Sequence, residues 1–213
     1  MAVRVLLVDD HSIVRAGFRR LIEQTDNLRV VAEASDAGEA YVRYKTEQPD
    51  VTVMDISMPG RGGIDTTRQI RQWDRNARIL IFSMHASTTF ALQAFRAGAL
   101  GFVTKSSEPE VLIKAISDVA AGSPAICPEI SESLAARHIS GDDHALELLS
   151  PREFEILRMI IDAKSSDQIA ASLSLSTKTV NNYHYSIKSK LGVSSDIDLV
   201  YLCMRHGVYA SGT

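Results

Sequence analysis

Five polar residues stand at the ends of otherwise apolar runs in the first half of the sequence. Asp9 and Asp10 close "VRVLLV", Asp55 closes "VTVM", Ser83 closes "ILIF" and Lys105 closes "GFVT". If these ends converge, three carboxylates meet one ammonium. Carboxylates packed together repel one another unless something neutralises them. A hard cation with oxygen ligands does so, and Mg²⁺ held by a few carboxylates and waters is the natural candidate. Lys105 adds a second positive charge. A carboxylate beside both cations is set up to accept a phosphoryl group, because both stabilise charge on its equatorial oxygens. Asp55 is the better nucleophile candidate, since it stands alone while Asp9 and Asp10 form a pair suited to metal. Ser83 can hydrogen-bond a new phosphoryl oxygen. A single acid after a strand is ordinarily a turn or cap residue; four strand ends all carrying suitable groups argue for a site.

A second chemistry lies near the C-terminus, in "LSLSTKTVNNYHYSIKSKL", residues 173–191, which holds three lysines, two adjacent asparagines and no acid. Val180, Ile187 and Leu191 make an apolar seam, while Lys178, Asn181, Asn182, Tyr185 and Lys188 share the opposite stripe at helical spacing. Asn can pair with adenine through two hydrogen bonds, and lysines bind phosphate or guanine. Ser176 and Thr177 stand at the helix start, where free backbone N–H groups also meet phosphate. On an isolated helix such a face reads as solvated surface. A short helix, "DQIAASL", joined to it by "SLS", makes the pair a helix-turn-helix, whose second helix enters the major groove.

The elements that must position these groups are legible too. Through about residue 120, short apolar runs alternate with helical patterns, the grammar of a doubly wound parallel α/β domain of five strands and five helices. Val14, Phe18, Leu21 and Ile22 mark one helix face, Ile64, Ile70 and Trp73 a weaker one, and Leu112, Ile113, Ile116 and Val119 a third. In such a sheet, ligand sites form at the carboxyl ends of the strands, where the polar residues fall. After Gly122 two prolines, several serines and a "GDD" cluster read as a linker, residues 122–147, with a helical turn or two in it. From Leu148 the signals are helical: capping boxes at Ser150/Glu153 and Ser165/Gln168, a cap at Ser176, a stop at Gly192, and a last helix from Ser195 ending near Gly207. The expected division is 1–121, 122–147 and 148–213.

Composition sets outer limits. The chain has 213 residues, 45% hydrophobic and 23% charged, with a formal net charge of −3. That balance excludes a general polyanion binder. From Leu148 on there are seven Lys/Arg against six Asp/Glu, and between Ala171 and Gly192 three lysines and no acid, so any polyanion contact belongs in that last stretch. No apolar run approaches the ~20 residues a membrane helix needs, and the N-terminus meets two acids before a signal-peptide core forms. Cys127 and Cys203 lie far apart without metal-ligand spacing, so free thiols in a reducing cytosol are expected.

"VLLVDDH", "VTVMDISMPGRGG", "ILIFS" and "GFVTK" together resemble the receiver domain of two-component response regulators. The resemblance implies a flavodoxin-like sheet of strand order 2-1-3-4-5. It implies phosphorylation of Asp55 by a sensor histidine kinase, and Mg²⁺ ligation by Asp9, Asp10, Asp55 and the backbone carbonyl of Ser57. It implies Ser83 and Phe102 as a switch pair and Lys105 as the phosphate partner. Ser57 and His85 occupy the positions that tune dephosphorylation in this family. Ser106 stands where many receivers have Pro, and Phe102 where many have Tyr. "LSPREFEILRMI", "DQIAASLSLSTKTV" and "IKSKLGV" resemble the LuxR-type helix-turn-helix of the NarL/FixJ family. On that likeness the contacts to double-stranded DNA fall on Ser176, Thr177, Lys178, Thr179, Asn181, Asn182, Tyr185 and Lys188. Asn181 replaces a usual basic residue, Tyr183 a frequent His, Ala163 a usual Gly and Gln168 a usual Glu. Fewer cations mean fewer phosphate contacts, roughly one unit of log-log salt slope each.

The expectation is a cytoplasmic, phosphorylation-controlled transcription regulator that forms a homodimer on activation and reads a promoter inverted repeat. Two rivals stand beside it. Aspartyl phosphatases share the nucleophile and the cation, but they need a second acid two residues on, where this chain has Ser57. A signalling adaptor would use the helical domain to bind protein.

Overall fold

The computed structural model describes residues 2–58, 62–84, 88–140 and 145–205. Two compact units emerge, Met1–Ala136 and Arg137–Thr213. Strands β1 (Val3–Val8), β2 (Leu28–Ala34), β3 (Val51–Met54), β4 (Ile79–Ser83) and β5 (Gly101–Thr104) alternate with helices α1 (Ser12–Glu23), α2 (Ala37–Glu47), α3 (Gly63–Trp73), α4 (Thr88–Ala97) and α5 (Pro109–Ala120). All pairings are parallel, and the first five strands lie in the order β2-β1-β3-β4-β5. Every residue of β3, β4 and β5 is buried, because helices cover both faces of a parallel sheet and leave its strands continuously apolar.

The helix faces read from spacing pack as that spacing dictates, with one exception. Ile22 on α1 is fully buried and Phe18 meets Phe82 edge-to-face at 4.5 Å. Ile64 and Ile70 are buried on α3, as are Leu112, Ile116 and Val119 on α5. Trp73, assigned to the α3 core face, is instead 46% exposed. Its ring stands edge-on to Tyr44, with Lys45 Nζ over it.

The sheet has a sixth strand that the five-strand expectation lacks. β6 (Ala125–Ile126) pairs in parallel with β5. Gly122, at φ 82°, turns the chain after α5, and Gly101 lets β6 approach: a Cβ there would lie 2.8 Å from Ala125 O. Two residues cannot show a period, so the strand was hidden among prolines and serines. The stretch read as a linker with a turn or two also holds α6 (Pro128–Ser140), thirteen residues long, followed by a short 3-10 helix, Ala145–Leu148. Its "GDD" cluster lies outside the described residues.

The second unit is built from α7 (Pro151–Ile161), α8 (Ser166–Leu173), α9 (Thr177–Leu191) and α10 (Asp196–Arg205). Both capping boxes form: Ser150 with Glu153, and Ser165 with Gln168. Each satisfies two N–H groups that a helix start leaves orphaned. Ser176 caps α9 through Thr179 N–H, and Gly192 ends it in the left-handed conformation. The ending of α10 near Gly207 lies outside the described residues. No helix among them is long and apolar enough to cross a membrane.

Candidate functional site

The carboxyl ends of β1, β3, β4 and β5 meet at one pocket. Hydrogen bonds from Asp55 N–H to Val8 O (2.9 Å) and from Lys105 N–H to Ser83 O (2.8 Å) set the neighbouring ends level. Lys105, whose side chain is 5% exposed, bridges the acids: its Nζ lies 2.6 Å from Asp9 Oδ2 and 2.7 Å from Asp55 Oδ2. Asp9 and Asp55 are buried as well. Burial pushes the Asp55 carboxyl above its ordinary range, and the neighbouring Lys105 ammonium offsets this only in part. Burial works against the Lys105 charge, yet the Asp55 and Asp9 carboxylates outweigh it and hold that pKa above its usual value.

Asp10 lies at the pocket's mouth. Its Oδ1 is buried without a hydrogen bond, although His11 Nδ1 stands 2.7 Å away. Donor atoms of Asp9, Asp10, His11 and Asp55 all fall within 4.8 Å of one another. One lysine cannot neutralise three acids, and donor atoms of all three converge here with the His11 ring beside them. The donor set fits a hard cation on these two grounds. Ser57 is half-buried and its N–H reaches Asp55 Oδ1 at 3.3 Å. Ser83 and Phe102 are fully buried, with Phe102 paired to Ile81 and Ser83 to Thr104. His85 lies outside the described residues.

Three residues of this pocket escaped the sequence reading. His11 faces both β1 acids, and its N–H donates to Asp9 Oδ1 at 2.8 Å. Arg15 Nη1 donates to the Asp9 carbonyl at 2.5 Å and Arg15 Nε to Glu33 at 2.8 Å, pinning α1 beside the pocket. Gly63 opens α3 so close to β3 that a Cβ there would sit 1.8 Å from Asp55 O. The "GG" before Ile64 was a signal for this contact; the His11 and Arg15 contacts had none.

On α9, the expected DNA-facing residues divide into two groups. Lys178, Asn182 and Tyr185 are exposed, Tyr185 by 76%, while Val180, Ile187 and Leu191 are buried against the domain core. The others are engaged within the domain. Thr177 Oγ1 donates to Asp167 Oδ1 at 2.7 Å, and the exposed Asn181 accepts from Ser166 Oγ at 2.8 Å. Ser176 and Thr179 form the cap. Lys188 Nζ lies 3.0 Å from Asp196 Oδ1, the same oxygen that His184 Nε2 approaches at 2.8 Å. Glu153 locks α7 to α9. It is 4% exposed, accepts from Ser186 Oγ at 2.8 Å and holds Lys190 Nζ at 2.7 Å.

A family model described as "Response regulator receiver domain" matches residues 5–117, and one described as "Bacterial regulatory proteins, luxR family" matches residues 147–203. Response regulator UvrY of Escherichia coli K12 is 36% identical over 208 residues, 97% of this chain and 95% of its own. The crystal structure of a LuxR-family two-component response regulator from Aurantimonas sp. SI85-9A1 is 55% identical with a TM-score of 0.64, covering 65% of this chain and 99% of that one. RcsB from Salmonella enterica serovar Typhimurium, solved bound to promoter P1flhDC with the phosphomimetic BeF3⁻, is 28% identical with a TM-score of 0.68. It covers 94% of this chain and 98% of its own.

Proposed function

We propose a specific course of action for this chain, which belongs to the response regulators that join a receiver domain to a LuxR-type DNA-binding domain. Asp55 is its phosphoacceptor. A carboxylate oxygen of Asp55 bonds to the phosphorus of a phosphohistidine on a sensor kinase as the phosphorus–nitrogen bond breaks. The observation that carries this reading is the Lys105 bridge: an ammonium already 2.7 Å from the nucleophile and 2.6 Å from its neighbouring acid. Once Asp55 carries the phosphoryl group, Lys105 pairs with a phosphoryl oxygen and the Ser83 hydroxyl donates to another, drawing β4 toward the pocket while Phe102 shifts beside it. Mg²⁺ held by Asp9, Asp10, Asp55 and the Ser57 carbonyl would neutralise charge developing on the transferring oxygens. His11 orients Asp9 through its N–H.

The modified receiver favours a homodimer. One helical domain offers too little surface to hold DNA tightly, so two copies on a promoter inverted repeat, with half-sites about one turn apart, are the fitting assembly. Lys178, Asn182 and Tyr185 then face the groove. The chain acts in the cytoplasm and is not a turnover enzyme: Ser57 stands where a phosphatase needs an acid. Incubation with a small phosphodonor and Mg²⁺ should add one phosphate per chain by intact mass, and Asp55→Asn should abolish it. Phosphate added equally to D55N, or continued multiple turnover, rejects the assignment.

A further inference from the structure

β6 closes the sheet on β5, the strand that carries Phe102 and leads directly into Lys105. Gly101 lies opposite Ala125 and Phe102 opposite Ile126. Ala125 N–H donates to Leu100 O at 3.3 Å, and Cys127 N–H to Phe102 O at 3.1 Å. The ladder's next rung is a side chain: Glu129, in the first turn of α6, accepts the Thr104 hydroxyl at 3.0 Å. The chain after α5 is therefore stitched to Leu100, just before β5, and to Phe102 and Thr104 within it, ending one residue short of Lys105.

Thr104 is fully buried and has one hydroxyl proton to give. With that proton spent on Glu129, its oxygen accepts from Ser106 Oγ at 3.1 Å and lies 2.8 Å from Ser107 Oγ. The loop after β5 is thus gathered around Thr104, and Thr104 is held by α6. A pull on Lys105 toward a phosphoryl oxygen moves the residue between these groups.

We propose that Glu129 is a positioning residue: through Thr104 it ties the Lys105 loop to the start of α6, so the helix that leads on to the DNA-binding domain feels the state of Asp55. This rests on the phosphoacceptor reading above. It gives the sixth strand a use, which is to carry the signal out of the sheet along the chain itself.

Hydrogen exchange by mass spectrometry on the full-length protein, with and without beryllium fluoride, tests it. In wild type, exchange changes both at residues 104–107 and at 125–135. In Glu129→Ala the first response persists, while the second weakens by about fivefold, the weight of one hydrogen bond. Thr104→Val, which removes the donor, reproduces that loss. Glu129→Gln keeps an oxygen acceptor and restores the response, which a merely charged surface residue would not. An unchanged response at 125–135 in E129A, or failure of E129Q to restore it, overturns the proposal. No response at 104–107 in wild type overturns the phosphoacceptor reading itself.

Discussion

In the acidic pocket, the Lys105 side chain is 5% exposed and already holds two carboxylates; on α9, Lys178 and Asn182 stand in solvent holding nothing among the described residues. Under the proposed function both regions meet an anion, a phosphoryl group in one and a nucleic acid in the other. The pocket stores its charges as buried pairs and must rearrange them when the anion arrives. The helix leaves Lys178, Asn182 and Tyr185 unspent, and these must only dock. A switch needs the first arrangement, because only groups with an existing partner can exchange it. A reader needs the second, since desolvating groups that already have partners would weaken each contact.

Removing the lysine from the pocket tests that contrast hardest. Lys105→Met leaves Asp9 and Asp55 buried together without a counter-charge, and breaking a buried pair from one side costs about 3–5 kcal/mol. Urea unfolding of the full-length protein should show the loss in the receiver transition. Millimolar Mg²⁺ should recover part of it by supplying the missing charge. A loss under about 1 kcal/mol would place this pair with ordinary surface ion pairs, and no recovery with Mg²⁺ would count against the cation site.

The helical domain has a buried acid of its own, and it sharpens the comparison because it has no anion to wait for. Burial alone would raise the pKa of Glu153, but Lys190, the Ser150 N–H and Ser186 outweigh it and hold the carboxyl below its ordinary 4.5. A carboxyl depressed by folding stabilises the fold above its unfolded pKa, and the gain disappears as pH falls through the lower folded value. Glu153→Gln should therefore destabilise this domain by about 1.5–3 kcal/mol at neutral pH. The gap from wild type should close as the pH drops below 4.5. Thermal melts across pH 3–7 (a range chosen to bracket about 4) would measure it, and a gap constant with pH would show that the charge is irrelevant.

On the exposed side, Asn182→Ala should weaken specific DNA binding by about 1–3 kcal/mol if it makes a paired contact with adenine. Lys178→Ala should weaken all sequences alike and reduce the log-log salt slope by about one. Lys188→Ala should do less than either, because Asp196 already holds that ammonium at 3.0 Å. Titrations at several salt concentrations separate the three. If Lys188 proves the largest, the division between spent and unspent residues on α9 is wrong.

The pocket was legible in the sequence because each of its main residues ends an apolar run, so one rule of parallel sheets brings them together. The recognition helix was legible as an element, from its cap, seam and stop. Which of its polar residues remain available was not legible, because Asp167, Ser166 and Asp196 reach them from neighbouring helices at separations that no period encodes. The strand at Ala125–Ile126 was hidden for a different reason. Its signal is the missing side chain of Gly101 on its partner, not anything in its own residues.

Helix endings in the second unit give the smallest and cleanest test, because three of them share one geometry with different residues. α9 ends at Gly192, φ 66°, with Val193 N–H bonded to Lys188 O at 3.0 Å. α7 ends at Ala163, φ 56°, with Lys164 N–H bonded to Met159 O at 3.0 Å, and α8 at Ser174, φ 53°, with Leu175 N–H bonded to Ala170 O at 2.9 Å. Each is the left-handed closure that glycine adopts without penalty, while a Cβ there costs about 1 kcal/mol. Ala163→Gly removes that strain but gives the unfolded chain more freedom, so the net gain should be about 0.5 kcal/mol. Gly192→Ala should cost about 1 kcal/mol, and nothing lies within 4 Å of a Cβ there to add a steric term. Opposite signs for the two substitutions in parallel melts would tie the effect to φ alone. Equal signs would mean that the last turn of α7 does not hold the left-handed closure in solution.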